Sequence, residues 1–225
     1  MRRCRHEFLG RVDYRSAVDL QEECARRLKD GCGDERLLLL EHPPVITLGR
    51  NARDADVLLD AERLRAVGIE VARTNRGGQV TYHGPGQLIG YPVLSLHPDR
   101  RDVAGYLRDL EEVLIRTLRR FEIPAGRNPG LTGVWVGGEK IASIGVHLSR
   151  WVTTHGFALN VSTELSHFGL IVPCGIRGLG VTSMVRILNR PIGLQAVAAT
   201  LVPEFGAVFG RSMVGDRIPQ PAGVR

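Results

Sequence analysis

The chain has 225 residues, 43% of them hydrophobic, which is enough for one α/β domain to bury a core without disulfides or metal ions. No apolar run approaches the ~20 residues of a membrane span. Glu7, Gly10, Arg11 and Asp13 interrupt the stretch after the N-terminal arginines, so the sequence predicts a cytoplasmic protein without a signal peptide. The net charge of +6 favours acidic partners, but acidic and basic residues interleave and no stretch is both basic and aromatic-rich, which argues against nucleic-acid binding.

Hydrophobic periodicity predicts helices and strands that alternate along the chain. Helical spacing predicts an amphipathic helix over residues 14–30, and the apolar run at 36–41 is typical of a central strand covered on both faces. The other predicted elements are strands at 45–49 and 69–73, a helix at 58–67, a β-rich stretch at 79–96, a helix at 103–121, a hairpin at 134–146, a strand at 155–161, and a helix at 193–209 containing Pro203, before a loose tail after residue 210. The pattern predicts an α/β (α+β) fold, a mixed sheet with packed helices, in a single domain spanning residues 1–225.

The densest polar and glycine-rich stretch is RTNRGGQVTYHGPGQLIGYP, residues 73–92. Its glycines let a backbone approach a ligand closely, while Arg76, Gln79, Tyr82, His83 and Gln87 bring hydrogen-bonding groups to the same region. The spacing matches neither a phosphate-binding loop nor a dinucleotide fingerprint. Two interpretations remain, a ligand-binding loop or a tight turn within a sheet, and the polar content favours the loop.

Three further residues are candidates for chemistry. Only two of the 30 basic residues are lysines, and Lys140 follows a glycine turn and enters an apolar strand, where an ammonium is poorly solvated. Its plainer interpretation is a strand-end lysine whose charged end reaches water. His155 opens a strand and is either a base or a hydrogen-bonded core residue.

Cys174 stands between Pro173 and Gly175 at the end of an apolar run. Most free cysteines are small buried hydrophobic residues. A cysteine held at a bend beside a cation would instead be a reactive thiolate. The other cysteines, Cys4, Cys24 and Cys32, form no zinc motif with it, so no metal site is expected.

Taken together, these stretches resemble the lipoyl(octanoyl) transferase family of lipoate biosynthesis. The matching segments are EHPPVITLGR (41–50), RGGQVTYHGPGQ (76–87), GGEKIASIG (137–145), RWVTTHGFALNV (150–161) and LIVPCGI (170–176). The resemblance implies a fold similar to the catalytic domain of biotin and lipoate protein ligases. It also implies that Cys174 is a nucleophile forming an acyl-thioester and that Lys140 lowers the pKa of that cysteine.

The substrate-binding residues implied by the resemblance fall in three segments: Arg76, Gly77, Gly78, Gln79, Val80, Thr81, Tyr82 and His83; Ser143, Ile144 and Gly145; and Gly156, Phe157 and Ala158, with His155 as an auxiliary residue. We expect Ile144, Phe157 and Leu159 to line an apolar slot for the acyl chain. Either Lys140 or His83 would accept the proton of the acceptor amine.

The implied reaction is ping-pong transfer of an octanoyl or lipoyl group, without ATP, metal or other cofactor. The donor is octanoyl-acyl carrier protein, and the acceptors are lysines on lipoyl domains of 2-oxoacid dehydrogenase E2 subunits and on the glycine cleavage H protein. Nothing in the sequence demands more than a monomer. The competing hypotheses are an ATP-dependent lipoate or biotin ligase, a cysteine thioesterase, and a nucleic-acid-binding module that rests on charge alone.

Overall fold

Eleven strands and five α-helices occur among the residues that a computed structural model describes, which are 1–172, 180–215 and 218. The strands are β1 (Arg2–Arg11), β2 (Glu35–Glu41), β3 (Val45–Leu48), β4 (Glu70–Arg73), β5 (Val80–His83), β6 (Gln87–Val93), β7 (Gly126–Asn128), β8 (Leu131–Val136), β9 (Glu139–Ser149), β10 (Val152–Asn160) and β11 (Arg211–Val214). The helices are α1 (Tyr14–Lys29), α2 (Ala61–Ala66), α3 (Val103–Arg120), α4 (Met184–Leu188) and α5 (Leu194–Phe209). Within these ranges no helix is both long and apolar enough to cross a membrane.

The main sheet has eight strands in the order β11-β1-β2-β6-β10-β9-β8-β7. Strand β1 pairs in parallel with both β2 and β11, whereas the pairs from β2 through β6, β10, β9 and β8 to β7 are antiparallel. A smaller sheet, β4-β3-β5, combines one parallel and one antiparallel pair. The predicted mixed sheet is therefore confirmed.

Both faces of the main sheet are covered, which explains the continuous apolar run in β2. Leu37 and Leu39 face the principal core beneath α3 and α5, whereas Leu38 and Leu40 face a separate core beneath α1. Successive side chains of a strand point to opposite faces, so a strand buried on both faces has no polar alternation. The helix over 14–30, the central strand and the helix over 103–121 are confirmed.

The small sheet packs around its own core, which includes Ile46, Leu64, Tyr82, Phe168 and Ile171. A 3₁₀ helix over Leu165–Leu170 closes this core from the side of β5. The small sheet thereby brings the glycine-rich residues 73–86 alongside the α1 face of the main sheet.

Several predicted boundaries are wrong, including those of the hairpin expected at 134–146, whose strands are Leu131–Val136 and Glu139–Ser149. The helix expected at 58–67 begins at Ala61, because the Asp60 side chain accepts a hydrogen bond from the Arg63 backbone N–H at 2.9 Å and caps the first turn. The strand expected to start at His155 starts at Val152 instead, because it continues the hairpin with β9.

The C-terminal prediction is wrong for residues 211–214. They form β11, an edge strand paired with β1, and Arg211 makes hydrogen bonds of 2.6 and 3.1 Å to the buried Glu35 carboxylate. Pro203 does not end α5, because the rings of Phe205 and Phe209 pack with Tyr106 and hold the last turns against α3.

Candidate active site

A cavity of about 460 Å³ opens on the α1 face of the main sheet, between α1, the β9–β10 hairpin and the small sheet. Its walls come from elements far apart in sequence, because β10 pairs with β9 in a register that sets Ser143 opposite Ala158 and Gly145 opposite Gly156. These four residues share one face of the hairpin. Because serine and alanine are small and glycine has no side chain, they leave the cavity volume open.

Most of the residues singled out in the sequence line this cavity. They are Arg76, Gly78, Gln79, Val80, Thr81, His83, Lys140, Ser143, Ile144, Gly145, His155, Gly156, Phe157 and Ala158. Among the described residues that were expected there, Gly77 and Tyr82 lie outside the lining. The Gly77 N–H donates to the Val146 carbonyl, and the Tyr82 hydroxyl bonds His167 inside the small core.

The apolar slot is only partly as expected. Ile144 and Phe157 line the cavity, whereas Leu159 is fully buried in the principal core and does not reach the lining. Leu131, Phe168 and Val181 supply further apolar surface that the sequence did not indicate. The absence of a side chain at Gly90 makes room for the Phe157 ring, because a Cβ on that glycine would lie 2.0 Å from the ring edge.

Lys140 lies buried on β9 with 8% of its surface exposed. Its Nζ sits over the ring of the cross-strand residue Trp135, 4.8 Å from the ring centroid, an attractive cation–π arrangement. Gly133 makes room for the lysine stem, because a Cβ there would approach its Cε to 3.3 Å. The ammonium is therefore held at the cavity wall by packing and by the indole face.

Cys174 lies outside the described residues, but both chain segments that flank it are anchored next to the cavity. The Val172 N–H donates to the Asp56 carbonyl at 2.8 Å, on the side of the small sheet. At the other end, the Lys140 N–H donates to the Gly180 carbonyl at 2.9 Å. The described residues on either side of Cys174 are thus held by the small-sheet side and by the backbone of Lys140.

Arg76 brings a second positive charge to the cavity. Its guanidinium donates to the Thr47 hydroxyl and carbonyl oxygens at 2.8 and 2.7 Å and to the Gly77 carbonyl at 3.1 Å, which fixes a 7% exposed side chain. Because this charge is buried, it acts at short range in a medium of low dielectric constant. It disfavours protonation of the two histidines that line the same cavity.

His83 is a neutral imidazole with a defined tautomer. Gln87 Nε2 donates to the Asn160 amide oxygen at 2.9 Å, so Gln87 Oε1 must accept from His83 Nδ1–H at 2.8 Å. The remaining Nε2 keeps its lone pair, 3.4 Å from the Thr47 hydroxyl. Burial, followed by the charges of His42 and Arg76, holds the pKa of His83 well below its ordinary value.

His155 is held from both sides. Its backbone N–H donates to Gln21 of α1 at 2.7 Å, and its Nε2 lies 2.7 Å from the Asn75 amide oxygen, so Nε2 carries the proton. Its backbone has φ of 58°, a left-handed conformation that non-glycine residues rarely adopt. Burial, reinforced by Arg76, lowers the pKa of His155 to about 3.

Sequence reasoning missed a polar group that closes the cavity behind these histidines. Tyr14 and Tyr91 line the cavity, and the Tyr91 hydroxyl donates to His42 Nε2 at 2.8 Å while His42 Nδ1–H donates to the Val12 carbonyl at 2.7 Å. The available signal was a tyrosine and a histidine at the ends of otherwise apolar strands. The site therefore combines two cations, neutral bases and an apolar wall, which suits acyl transfer through a charged intermediate.

Residues 13–206 match the family described as the lipoyl protein ligase A/B catalytic domain. An octanoyltransferase from Solibacter usitatus (strain Ellin6076) is 53% identical over 214 residues, covering 95% of this chain and 96% of that protein. A lipoate-protein ligase A bound with ATP shares the fold with a TM-score of 0.77 at 20% identity, covering 98% of this chain and 90% of that chain. The biotin protein ligase from Aquifex aeolicus in complex with biotin and ATP gives a TM-score of 0.57 at 14% identity, covering 92% and 70%.

The two ligases confirm the predicted fold, and at these identities they show the fold alone. The octanoyltransferase is similar along nearly its whole length, and the matched residues include every segment that lines the cavity. The chain therefore belongs to the lipoyl protein ligase A/B catalytic domain family and, within it, to the octanoyltransferases.

Proposed function

We propose that this chain transfers an octanoyl group from acyl carrier protein to a lysine of lipoyl domains, through a thioester on Cys174. The observation that carries the proposal is the identity of 53% to an octanoyltransferase over 95% of the chain. A hydrogen bond from the backbone of the buried Lys140 to Gly180, six residues after Cys174, supports it.

In the first half-reaction the Cys174 thiolate attacks the carbonyl carbon of the donor thioester. A carbon–sulfur bond forms to Cys174, the bond to the pantetheine sulfur breaks, and the departing thiolate takes a proton from the Lys140 ammonium. A cation next to Cys174 favours its thiolate form, which is the nucleophile. Ile144 and Phe157 offer the apolar wall for the eight-carbon chain.

In the second half-reaction the acceptor lysine attacks the Cys174 thioester as a free amine. A carbon–nitrogen bond forms, the carbon–sulfur bond breaks, and the amine proton passes to a base. His83 fits this role because its Nε2 lone pair is unprotonated at neutral pH, and Lys140, neutral after the first half-reaction, is the alternative. The acceptors are lipoyl domains of 2-oxoacid dehydrogenase E2 subunits and the glycine cleavage H protein, and we expect a monomer to suffice.

The test is intact-mass measurement of the protein mixed with octanoyl-acyl carrier protein, without acceptor or ATP. A single octanoyl adduct that is lost in Cys174→Ala and discharged by a lipoyl domain supports the proposal. Product formed only with ATP and free octanoate would overturn it in favour of a ligase. An adduct that decays to free octanoate despite the acceptor would overturn it in favour of a thioesterase.

A further inference from the structure

A second concavity, of about 280 Å³, continues the active-site cavity along the same face of the β9–β10 hairpin. The pairs Ala158–Ser143 and Gly156–Gly145 line the first cavity, and the next pairs on that face, Thr154–His147 and Val152–Ser149, line the second. Side chains two residues apart on a strand share a face, so the two hollows lie end to end.

Asn75 joins the two hollows. It lines the second concavity, and its amide oxygen accepts the hydrogen bond from His155, which lines the first. The second concavity is thus built against the same loop, residues 73–86, that forms the wall of the candidate active site. A molecule bound there would be close to the active-site opening.

The rim of the second concavity carries positive charge that the described residues do not neutralise. Lys29 and Arg150 line it, and neither makes a salt bridge with a described carboxylate. Arg50 is exposed and likewise makes no such salt bridge. Burial lowers the pKa of His147, and the charges of Arg50 and Lys29 lower it further. Other described arginines without a salt bridge, such as Arg3, Arg15 and Arg119, do not line this concavity.

The same lining contains limited negative charge. Glu22 is the acidic residue of this lining. Arg26 also lines the concavity, but it forms salt bridges with Glu23 and Asp30 at 2.7 and 3.5 Å. Unpaired cations at the rim of a concave surface raise the local concentration of acidic partners and the rate at which they associate. The surface around Lys29, Arg50 and Arg150 therefore fits an acidic protein.

We propose that Lys29, Arg50 and Arg150 form the docking surface for the acidic carrier protein that delivers the acyl group. This inference rests on the proposed function and adds the place where the donor binds. Arg150 follows Ser149, which lies about 14 Å from Gly145 along the strand, taking ~3.4 Å per residue. An acyl group on a long pantetheine arm spans that interval, whereas an acceptor lysine has only a four-carbon stem and must approach the opening more directly.

The test compares two donors in acyl loading of Cys174, with the acceptor omitted. One donor is octanoyl-acyl carrier protein and the other is octanoyl-pantetheine, which lacks the carrier protein. For Lys29→Glu combined with Arg150→Glu, we expect the apparent KM for the carrier-bound donor to rise roughly tenfold or more, with little change for octanoyl-pantetheine. The two single variants, Lys29→Glu and Arg150→Glu, are each compared with Arg119→Glu, which makes the same change of charge. Arg119 is exposed on α3, makes no salt bridge with a described carboxylate and lies beyond the opposite face of the sheet.

Two results in the loading assay would overturn the docking surface: an unchanged KM for the carrier-bound donor, or an equal loss with both donors. A third would come from full turnover of the same variants with a lipoyl domain added, as a defect confined to the KM for the lipoyl domain. The last would assign the surface to the acceptor. Loading by octanoyl-pantetheine shows that the variant is folded. If the wild type forms no adduct with either donor, the proposed function itself fails, which is distinct from failure of the docking surface.

Discussion

Replacing His155 by glutamine should reduce the acid sensitivity of folding by about 2 kcal/mol between pH 7 and pH 5. Burial and Arg76 lower the pKa of this imidazole from 6.5 to about 3. Above pH 6.5 the group is neutral in both the folded and the unfolded chain and contributes nothing to pH dependence. Below pH 6.5 the unfolded chain binds a proton that the folded chain does not, so the free energy of unfolding falls by about 1.36 kcal/mol per pH unit, or about 2 kcal/mol over 1.5 units.

The assay is urea unfolding of wild type and His155→Gln at pH 7, 6 and 5, followed by tryptophan fluorescence. Glutamine keeps an N–H donor for Asn75, so the difference between the two proteins should shrink by about 2 kcal/mol from pH 7 to pH 5. Lowered carboxylate pKa values, such as that of Asp13, act only below about pH 4. His97→Gln, at an exposed position, controls for loss of one imidazole, and a constant difference across this range would refute the reasoning.

Substitutions at three further positions test the fold and the site. Glu35→Ala should lower the free energy of unfolding by about 3–5 kcal/mol in urea titrations, because the 10% exposed Arg211 guanidinium loses its carboxylate; a loss below about 1 kcal/mol would contradict this. Gly156→Ala should destabilise by about 1–3 kcal/mol in thermal unfolding and slow acyl loading, since its Cβ would lie 2.2 Å from the Gly90 carbonyl oxygen. Trp135→Leu should slow acyl loading roughly 2- to 30-fold, the equivalent of a cation–π contact of about 0.5–2 kcal/mol. Trp135→Phe, which keeps an aromatic face, should lose less, and equal rates for both variants would argue against the contact.

Local sequence patterns predicted the elements whose signal lies within one stretch of chain. Helices α1 and α3 follow from apolar residues at helical spacing, and β2 follows from an apolar run buried on both faces. The hairpin of β8 and β9 follows from Gly137 and Gly138, whose φ angles of 56° and 86° fit a tight turn. None of these predictions required knowledge of distant partners.

The β1–β11 pairing was missed because it depends on residues about 200 positions apart. Strand β1 is rich in charged residues and has no clean alternation, so by itself it does not look like a strand. The buried pair of Glu35 and Arg211 connects β2 to β11 across β1. Contacts of this kind are set by tertiary packing and override local propensity.

The candidate site was only partly predicted, because tertiary packing also brings some of its residues together. The glycine-rich loop and the β9–β10 hairpin carry local signals, and most of their expected residues line one cavity. Tyr14, His42 and Tyr91 were not anticipated, because each comes from an element that looks structural in isolation. Their proximity becomes visible only in the packed fold, where Tyr14 and His42 lie next to His83 and Tyr91 lies next to His42 and His155.

Val172 and Gly180, the described residues on either side of Cys174, are held by different parts of the fold. Val172 is hydrogen-bonded to Asp56, whose neighbour Val57 packs on the core of the small sheet, whereas Gly180 is bonded to Lys140 of the main sheet. Any change in how the small sheet sits on the main sheet would therefore alter the separation of the two ends. The rate at which a thiol-directed reagent labels Cys174 would then report on how the two sheets pack. Substitutions at Leu64 or Ile69, which lie in the small core and do not line the cavity, would change that rate without touching substrate.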